Sequence, residues 1–236
     1  DFPKPLELLT FLIRQATSVH NADLVMDLFA GSGSSAAATM KVNAEDGGDR
    51  RFVMVQLPEP IPARGAAGRI GIRNIADLSR ERIRRMALGI GDRTGLVNVG
   101  LDLGFRSLRV DSSNRADVRK TADDTEQLGL DDLASSVKPD RSGEDLLFQV
   151  LLDWGLELSL PMTREHIDGR EVLSVEADAL VACFAESVTP EVVRGIAERG
   201  PLRAVFRDDA FDSDAARINA EQVFREVSPA TEVRTI

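Results

Sequence analysis

The feature that most constrains this chain is a short apolar run, Leu24 to Leu28, that turns through Asp27-Leu28-Phe29-Ala30-Gly31-Ser32-Gly33 into the alanine-rich stretch Ser35 to Val42. Bounded apolar runs of this length read as strands, and alanines favour helix and allow close packing. The segment is therefore strand, loop, helix. Phe52 to Leu57 reads as a second strand, and a right-handed crossover through the intervening helix predicts that the two strands lie parallel in one sheet. The glycine turn then sits at the carboxyl edge of that sheet, with backbone N–H groups and the positive end of a helix beside it, where nucleotide-like ligands bind. Gly31 and Gly33 suit the turn because glycine accepts positive φ and lets another group come close.

Spacing alone leaves the ligand open. Gly31-Ser32-Gly33-Ser34-Ser35-Ala36 fits the dinucleotide fingerprint with alanine as its third member. Asp27 tilts the choice, since a carboxylate before the loop repels a pyrophosphate but accepts a hydrogen bond from a ligand ammonium group. Phe29 adds an apolar face. Together they suit a cofactor that has an ammonium and a sulfonium and lacks phosphate. A loop-capping carboxylate is the alternative reading of Asp27.

Upstream, residues 4 to 17 read as a helix opened by Pro5, with Leu6, Leu9, Leu12 and Ile13 on one face. Downstream, Pro58 to Arg73 reads as a long loop, and Asn74 as the cap of a helix from Ile75 to about Leu88. Phe105 to Val110 alternates like a half-exposed strand. Residues 111 to 141 are polar and acidic and read as a linker. A second unit, 142 to 236, follows. It opens on a helical stripe of Leu146, Leu147, Val150, Leu151 and Trp154, then alternates strands (171–175, 180–184, 202–206, 232–236) with helices starting at Thr189-Pro190 and at Asp214. The fold expected is α/β: a partial Rossmann-like sheet over residues 1–110, a polar linker over 111–141, and a small α/β domain over 142–236.

With one cysteine and two histidines a disulfide framework and a Cys/His zinc site are excluded, so no structural metal is expected. Asp208, Asp209, Asp212 and Asp214 read as strand-end and cap residues, and Arg80 to Arg85 as a solvated helix face. Cys183 reads as a buried small hydrophobe. No apolar run reaches the roughly 20 residues of a membrane span, and the chain reads as a cytoplasmic protein. A net charge of −10 opposes a nonspecific grip on DNA, which depends on cations meeting phosphates.

Asp27-Leu28-Phe29-Ala30-Gly31-Ser32-Gly33-Ser34-Ser35 resembles the cofactor motif of amino-group DNA methyltransferases, and Asp1-Phe2-Pro3-Lys4-Pro5-Leu6-Glu7-Leu8 resembles the Pro-Lys-Pro helix that precedes it in their beta-type order. Asn43 to Glu59, Ile75-Ala76-Asp77 with Glu81 to Arg85, and the tail from Asp208 to Ile236 resemble the modification (Mod) subunit of type III restriction-modification systems. The resemblance implies adenine N6 methylation from S-adenosyl-L-methionine. It implies that Phe2, Lys4 and Pro5 line the methionine side of the pocket and that Asp27 takes the ammonium. Phe29 would pack on the cofactor, the loop Ala30, Gly31, Ser32, Gly33 and Ser34 would supply N–H groups, and Gln56 and Leu57 would approach the adenosine. Gln56 departs from the acid commonly found there for ribose hydroxyls, although it can still accept one hydrogen bond.

The family's catalytic tetrad, Asp/Asn/Ser-Pro-Pro-Tyr/Phe/Trp, has no counterpart, because the chain contains no tyrosine and no adjacent prolines. No catalytic residue is therefore assigned. In the beta-type order the tetrad and the DNA-reading region precede the Pro-Lys-Pro helix, so an N-terminal truncation would account for the gap, and this chain alone is expected to be inactive. Implied partners are double-stranded DNA, held through that preceding part, a restriction (Res) subunit and a second Mod subunit. Two further readings are a non-catalytic cofactor-binding or assembly module and an NAD-dependent oxidoreductase.

Overall fold

The computed structural model describes residues 4–94, 101–115 and 137–236. Contacts divide the chain into two compact units, Asp1–Leu108 and Arg109–Ile236. Each is described separately.

In the first unit, β1 (Leu24–Asp27) and β2 (Arg51–Met54) form a two-stranded parallel sheet with Leu24 opposite Arg51 and Asp27 opposite Met54. The expected parallel pairing is observed. Between them runs α2 (Ser34–Asp46), whose Ala36, Ala37, Ala38 and Val42 are fully buried. Small side chains let neighbours approach α2 from two sides. On one, α1 (Leu6–Ala16) brings Leu6, Leu9 and Ile13 against Ala38, Val42 and Val25. On the other, α4 (Ile75–Thr94) brings Ile83 and Ile90 against Ala36 and Met40, with Phe52 and Met54 joining from the strand. Arg50 ties the α1 side together, donating to Thr17 at 2.6 Å and to Asp46 at 3.0 Å from a side chain only 2% exposed.

Period-2 alternation sends the other side chains of the strands to the opposite face. Leu24, Met26 and Leu28 lie beside Val53, Val55 and Leu57 there, and all six are exposed, Met26 at 58% and Val53 at 41%.

The segment 105–110 departs from the expected strand. It has no ladder pairing among the described residues, and of it only Phe105 packs, with Leu101 and Leu103, on the α2–α4 cluster, while residues 106–110 are exposed. Alternation directs one row of side chains to a core, but a strand also needs a neighbouring backbone. Two further differences are α3 (Ala66–Arg69) inside the expected loop, and α4 passing through Gly89 and Gly91 instead of stopping near Leu88.

In the second unit, β3 (Met162–Ile167), β4 (Arg170–Val175), β5 (Leu180–Cys183), β6 (Arg203–Phe206) and β7 (Glu232–Thr235) form one sheet in sequence order, with two antiparallel pairings followed by two parallel ones. Helix α5 (Gly143–Asp153) covers one face through Leu147 and Leu151, while α6 (Pro190–Ala197) and α7 (Asp214–Val227) cover the other through Ile196 and Phe224. Alternate residues of β5 feed opposite cores, Leu180 and Ala182 one, Val181 and Cys183 the other. Double coverage explains why these strands read as unbroken apolar runs. The helix starts are fixed by a Ser142–Asp145 capping box, by Thr189 with Pro190, and by Ser213. Strand β3 was not foreseen, because Met162–Ile167 is polar in its middle and exposed there. Of the expected linker, residues 116–136 lie outside the described residues.

Candidate functional site

The glycine loop leaves β1 at Asp27 and enters α2 at Ser34, at the same sheet edge where the chain leaves β2. Its shape is set by hydrogen bonds from three directions. Ala30 N–H donates to Val55 O at 3.1 Å, and Gly33 N–H to Ala30 O at 2.9 Å. Gly31, at φ +54°, donates its N–H to Gln56 Oε1 at 2.7 Å, and Gln56 in turn donates Nε2 to Leu57 O at 3.1 Å. From α4, Arg82 Nη1 donates to both Ser32 Oγ and Ser34 Oγ at 2.8 Å.

Gly33 is required by a close approach within the protein. Its φ is +75°, and a Cβ there would lie 2.6 Å from Ser79 Oγ and 3.2 Å from Ser79 O on α4. A side chain at position 33 would push α4 off the loop.

Asp27 is held by its surroundings. Its carboxylate accepts from Ser35 Oγ at 2.6 Å and from Phe29 N–H at 3.1 Å, and Lys4 Nζ lies 3.5 Å away. Burial pushes its pKa up, but the Ser35 hydrogen bond, then the Phe29 N–H and Lys4, outweigh burial and hold it below the usual carboxylate value. A carboxylate has about four acceptor positions, so these three donors leave room for one more. The loop-capping role and the ligand role of Asp27 are thus compatible. The Lys4 contact also joins the two motifs, Pro-Lys-Pro and Asp-Leu-Phe-Ala-Gly, in space.

Of the remaining sequence-derived residues, Pro5 is the exposed N-cap of α1, Ala30 is buried, and Ser34 opens α2 from a buried position. Phe29 is 82% exposed and Leu57 is exposed beside the edge. Phe2 lies outside the described residues. Arg82 and Ser79 were missed. The signal was present, because Ser79, Arg82, Ile83 and Met86 recur at helical spacing and so share one face of α4. The rest of the arginine run is a solvated face as expected: Arg80 pairs with Asp77, Arg85 with Glu81 at 2.7 Å, and Arg84 lies over Phe105 at 5.8 Å.

The second unit contains no comparable loop among its described residues. A cavity of about 120 Å³ lined by Phe211, Arg217, Ala220 and Arg234 is too small for a nucleoside-sized ligand. Asp208 pairs with Arg217 at 2.9 Å and Asp209 with Arg207 at 2.7 Å, so these carboxylates have protein partners. Cys183 is buried, which raises its thiol pKa.

Comparison with known proteins decides the family. The chain is 31% identical over 222 residues to the EcoPI Mod subunit of Escherichia phage P1, a "Type III restriction-modification enzyme" subunit, an alignment that spans 91% of this chain. The chain belongs to the Mod subunits of type III restriction-modification enzymes. Within that family it is also 38% identical over 109 residues, 46% of the chain, to the StyLTI Mod subunit of Salmonella typhimurium. Outside type III systems, the type II methyltransferase M.KpnI of Klebsiella pneumoniae is 32% identical over 83 residues, 35% of the chain and 19% of that protein. The chain spans 33% of the length of the EcoPI subunit and 16% of the StyLTI subunit. No family model matches. Among the described residues no helix is long and apolar enough to cross a membrane.

Proposed function

We propose that this chain is the S-adenosyl-L-methionine-binding portion of a site-specific DNA adenine-N6 methyltransferase, with residues 1–110 contributing part of a Rossmann-like sheet and residues 142–236 a subunit-interaction domain. The observation that carries this reading is the edge formed by β1, the glycine loop and β2, with Asp27 presented on it and one acceptor position left over. That chemistry fits an ammonium group. It is a poor fit to the pyrophosphate of NAD, which Asp27 repels and for which the Gly31 N–H is already committed to Gln56.

In this reading Lys4 and Pro5 flank the methionine end and Phe29 offers its exposed ring to the cofactor. The N–H groups of Ser32 and Ser34, which have no partner among the described residues, face an acceptor on the ligand. When bound, the cofactor supplies an electrophilic methyl group. The residues of this chain bind and orient it, while the flipped adenine is received by groups that the chain lacks, since it has no tetrad. Duplex DNA, a Res subunit and a second Mod subunit are the partners that family membership suggests.

The test is calorimetry of the 236-residue chain with S-adenosylhomocysteine and, separately, NAD. Binding of the first and not the second is expected, and the reverse would establish a nicotinamide site instead. Radiolabelled methyl transfer to duplex DNA by the chain alone is expected to be nil.

A further inference from the structure

We propose that the excursion between Pro60 and Asn74 is a phosphate-contacting arm that meets the backbone of the duplex brought to the cofactor edge. This rests on the methyltransferase reading and adds to it a DNA contact within this chain.

Three observations lead there. The first is position. β1 and β2 are parallel, so the glycine loop and the excursion leave the sheet at the same edge. A duplex whose base is to reach the methyl donor must approach that edge.

The second is order. The ends of the excursion are bridged, Pro60 opposite Asn74, with Ile61 N–H donating to Arg73 O and Ile75 N–H to Glu59 O, both at 2.9 Å. Inside it, α3 turns so tightly that a Cβ on Gly68 would lie 2.6 Å from the Pro62 and Ala63 carbonyl oxygens. Ile72, 8% exposed, anchors the returning segment. The arm is built with a defined shape.

The third is charge. In a chain with 39 acidic residues, positions 60 to 74 carry Arg64, Arg69 and Arg73 and no acid. All three arginines are exposed, and none makes an ion pair or a side-chain hydrogen bond among the described residues. Most other arginines here are committed, as Arg50, Arg80, Arg85, Arg199 and Arg207 are. Cations kept clear of carboxylates on an ordered projection suit a polyanion, and each phosphate neutralised releases counterions.

The experiment is fluorescence anisotropy of the 236-residue chain with a labelled duplex of arbitrary sequence across a salt series starting near 20 mM. The parent is compared with the triple variant Arg64→Gln, Arg69→Gln, Arg73→Gln and with a control triple in the second unit, Arg164→Gln, Arg194→Gln, Arg225→Gln. The arm variant is expected to flatten the slope of log affinity against log salt by about 2.7, roughly 0.9 per lost phosphate contact, and the control to leave it unchanged. No duplex binding by the parent, equal loss in both triples, or equal affinity of the parent for polyglutamate would overturn the proposal. Calorimetry with S-adenosylhomocysteine runs in parallel. Retained binding by the arm variant shows it folded, and failure of the parent to bind defeats the cofactor reading independently of the arm.

Discussion

The two units of this protein cover their sheets to different degrees. The second closes five strands between α5 on one face and α6 and α7 on the other, and its central strand β5 is buried throughout. The first lays α2 on one face of two strands and leaves Leu24, Met26, Leu28, Val53, Val55 and Leu57 open on the other. Charge divides the same way. Residues 1–108 carry fourteen Lys and Arg against twelve Asp and Glu, whereas residues 109–236 carry fifteen against twenty-seven. The overall −10 therefore belongs to the second unit, while the edge formed by β1, the glycine loop and β2 lies in a unit with two more basic than acidic residues. Whole-chain charge averages two units of opposite sign.

The contrast breaks first on core truncation. Phe224→Ala, at a ring 1% exposed that packs edge-on to Phe206, is expected to cost about 3–5 kcal/mol. Met26→Ala is expected to cost under about 1 kcal/mol, because its side chain is already in water. Urea midpoints measure both. Equal costs would mean that the open face is covered in solution.

Next comes the loop. Gly33→Ala forces a Cβ against Ser79 and places alanine at φ +75°, which should cost about 2 kcal/mol and abolish S-adenosylhomocysteine binding at micromolar concentrations. Exchange protection of the second unit should not change, as read by hydrogen exchange.

Arg82→Met removes both serine contacts. It should weaken S-adenosylhomocysteine about tenfold, equivalent to about 1.4 kcal/mol. A variant with both Ser32→Ala and Ser34→Ala should show a similar loss that Arg82→Met does not deepen. Additive losses in calorimetry would mean that Arg82 acts elsewhere.

The smallest effect concerns acid. The folded pKa of Asp27 lies below its unfolded value of about 3.9, so its stabilisation is present above that pH and lost as pH falls through the lower folded value. Asp145, lowered by its Ser142 hydrogen bonds, behaves alike in the second unit. Asp27→Asn should remove a fraction of a kcal/mol at pH 7 and progressively less as pH falls below the unfolded value, a trend readable in acid-titrated melting curves.

What the sequence made legible follows from which patterns are local. Strand, glycine turn, alanine helix and second strand were readable because each element carries its own signal, and Thr189-Pro190 announced a helix start by capping chemistry. The edge strand β3 was not readable, because with one face in solvent its composition resembles a loop. Residues 105–110 depart from the expected strand because alternation of apolar and polar residues does not by itself supply a core or a pairing partner: only Phe105 packs, and Leu108 and Val110 are exposed. At the loop, Asp27 and the glycines stood out, but their supports Gln56 and Arg82 lie 25 and 48 to 50 residues away, and only folding brings them together.

Gln56 differs from Asp27 in one further respect. An amide carries no titratable proton, so the grip of Gln56 on Gly31 is independent of the acidity of the buffer. The loop should keep the same outline in mildly acidic and mildly alkaline buffer. On the proposed reading, a fall in affinity for S-adenosylhomocysteine toward alkaline solution would report the proton leaving the ligand's own amine, and the loop would be a gauge of its guest's ionisation.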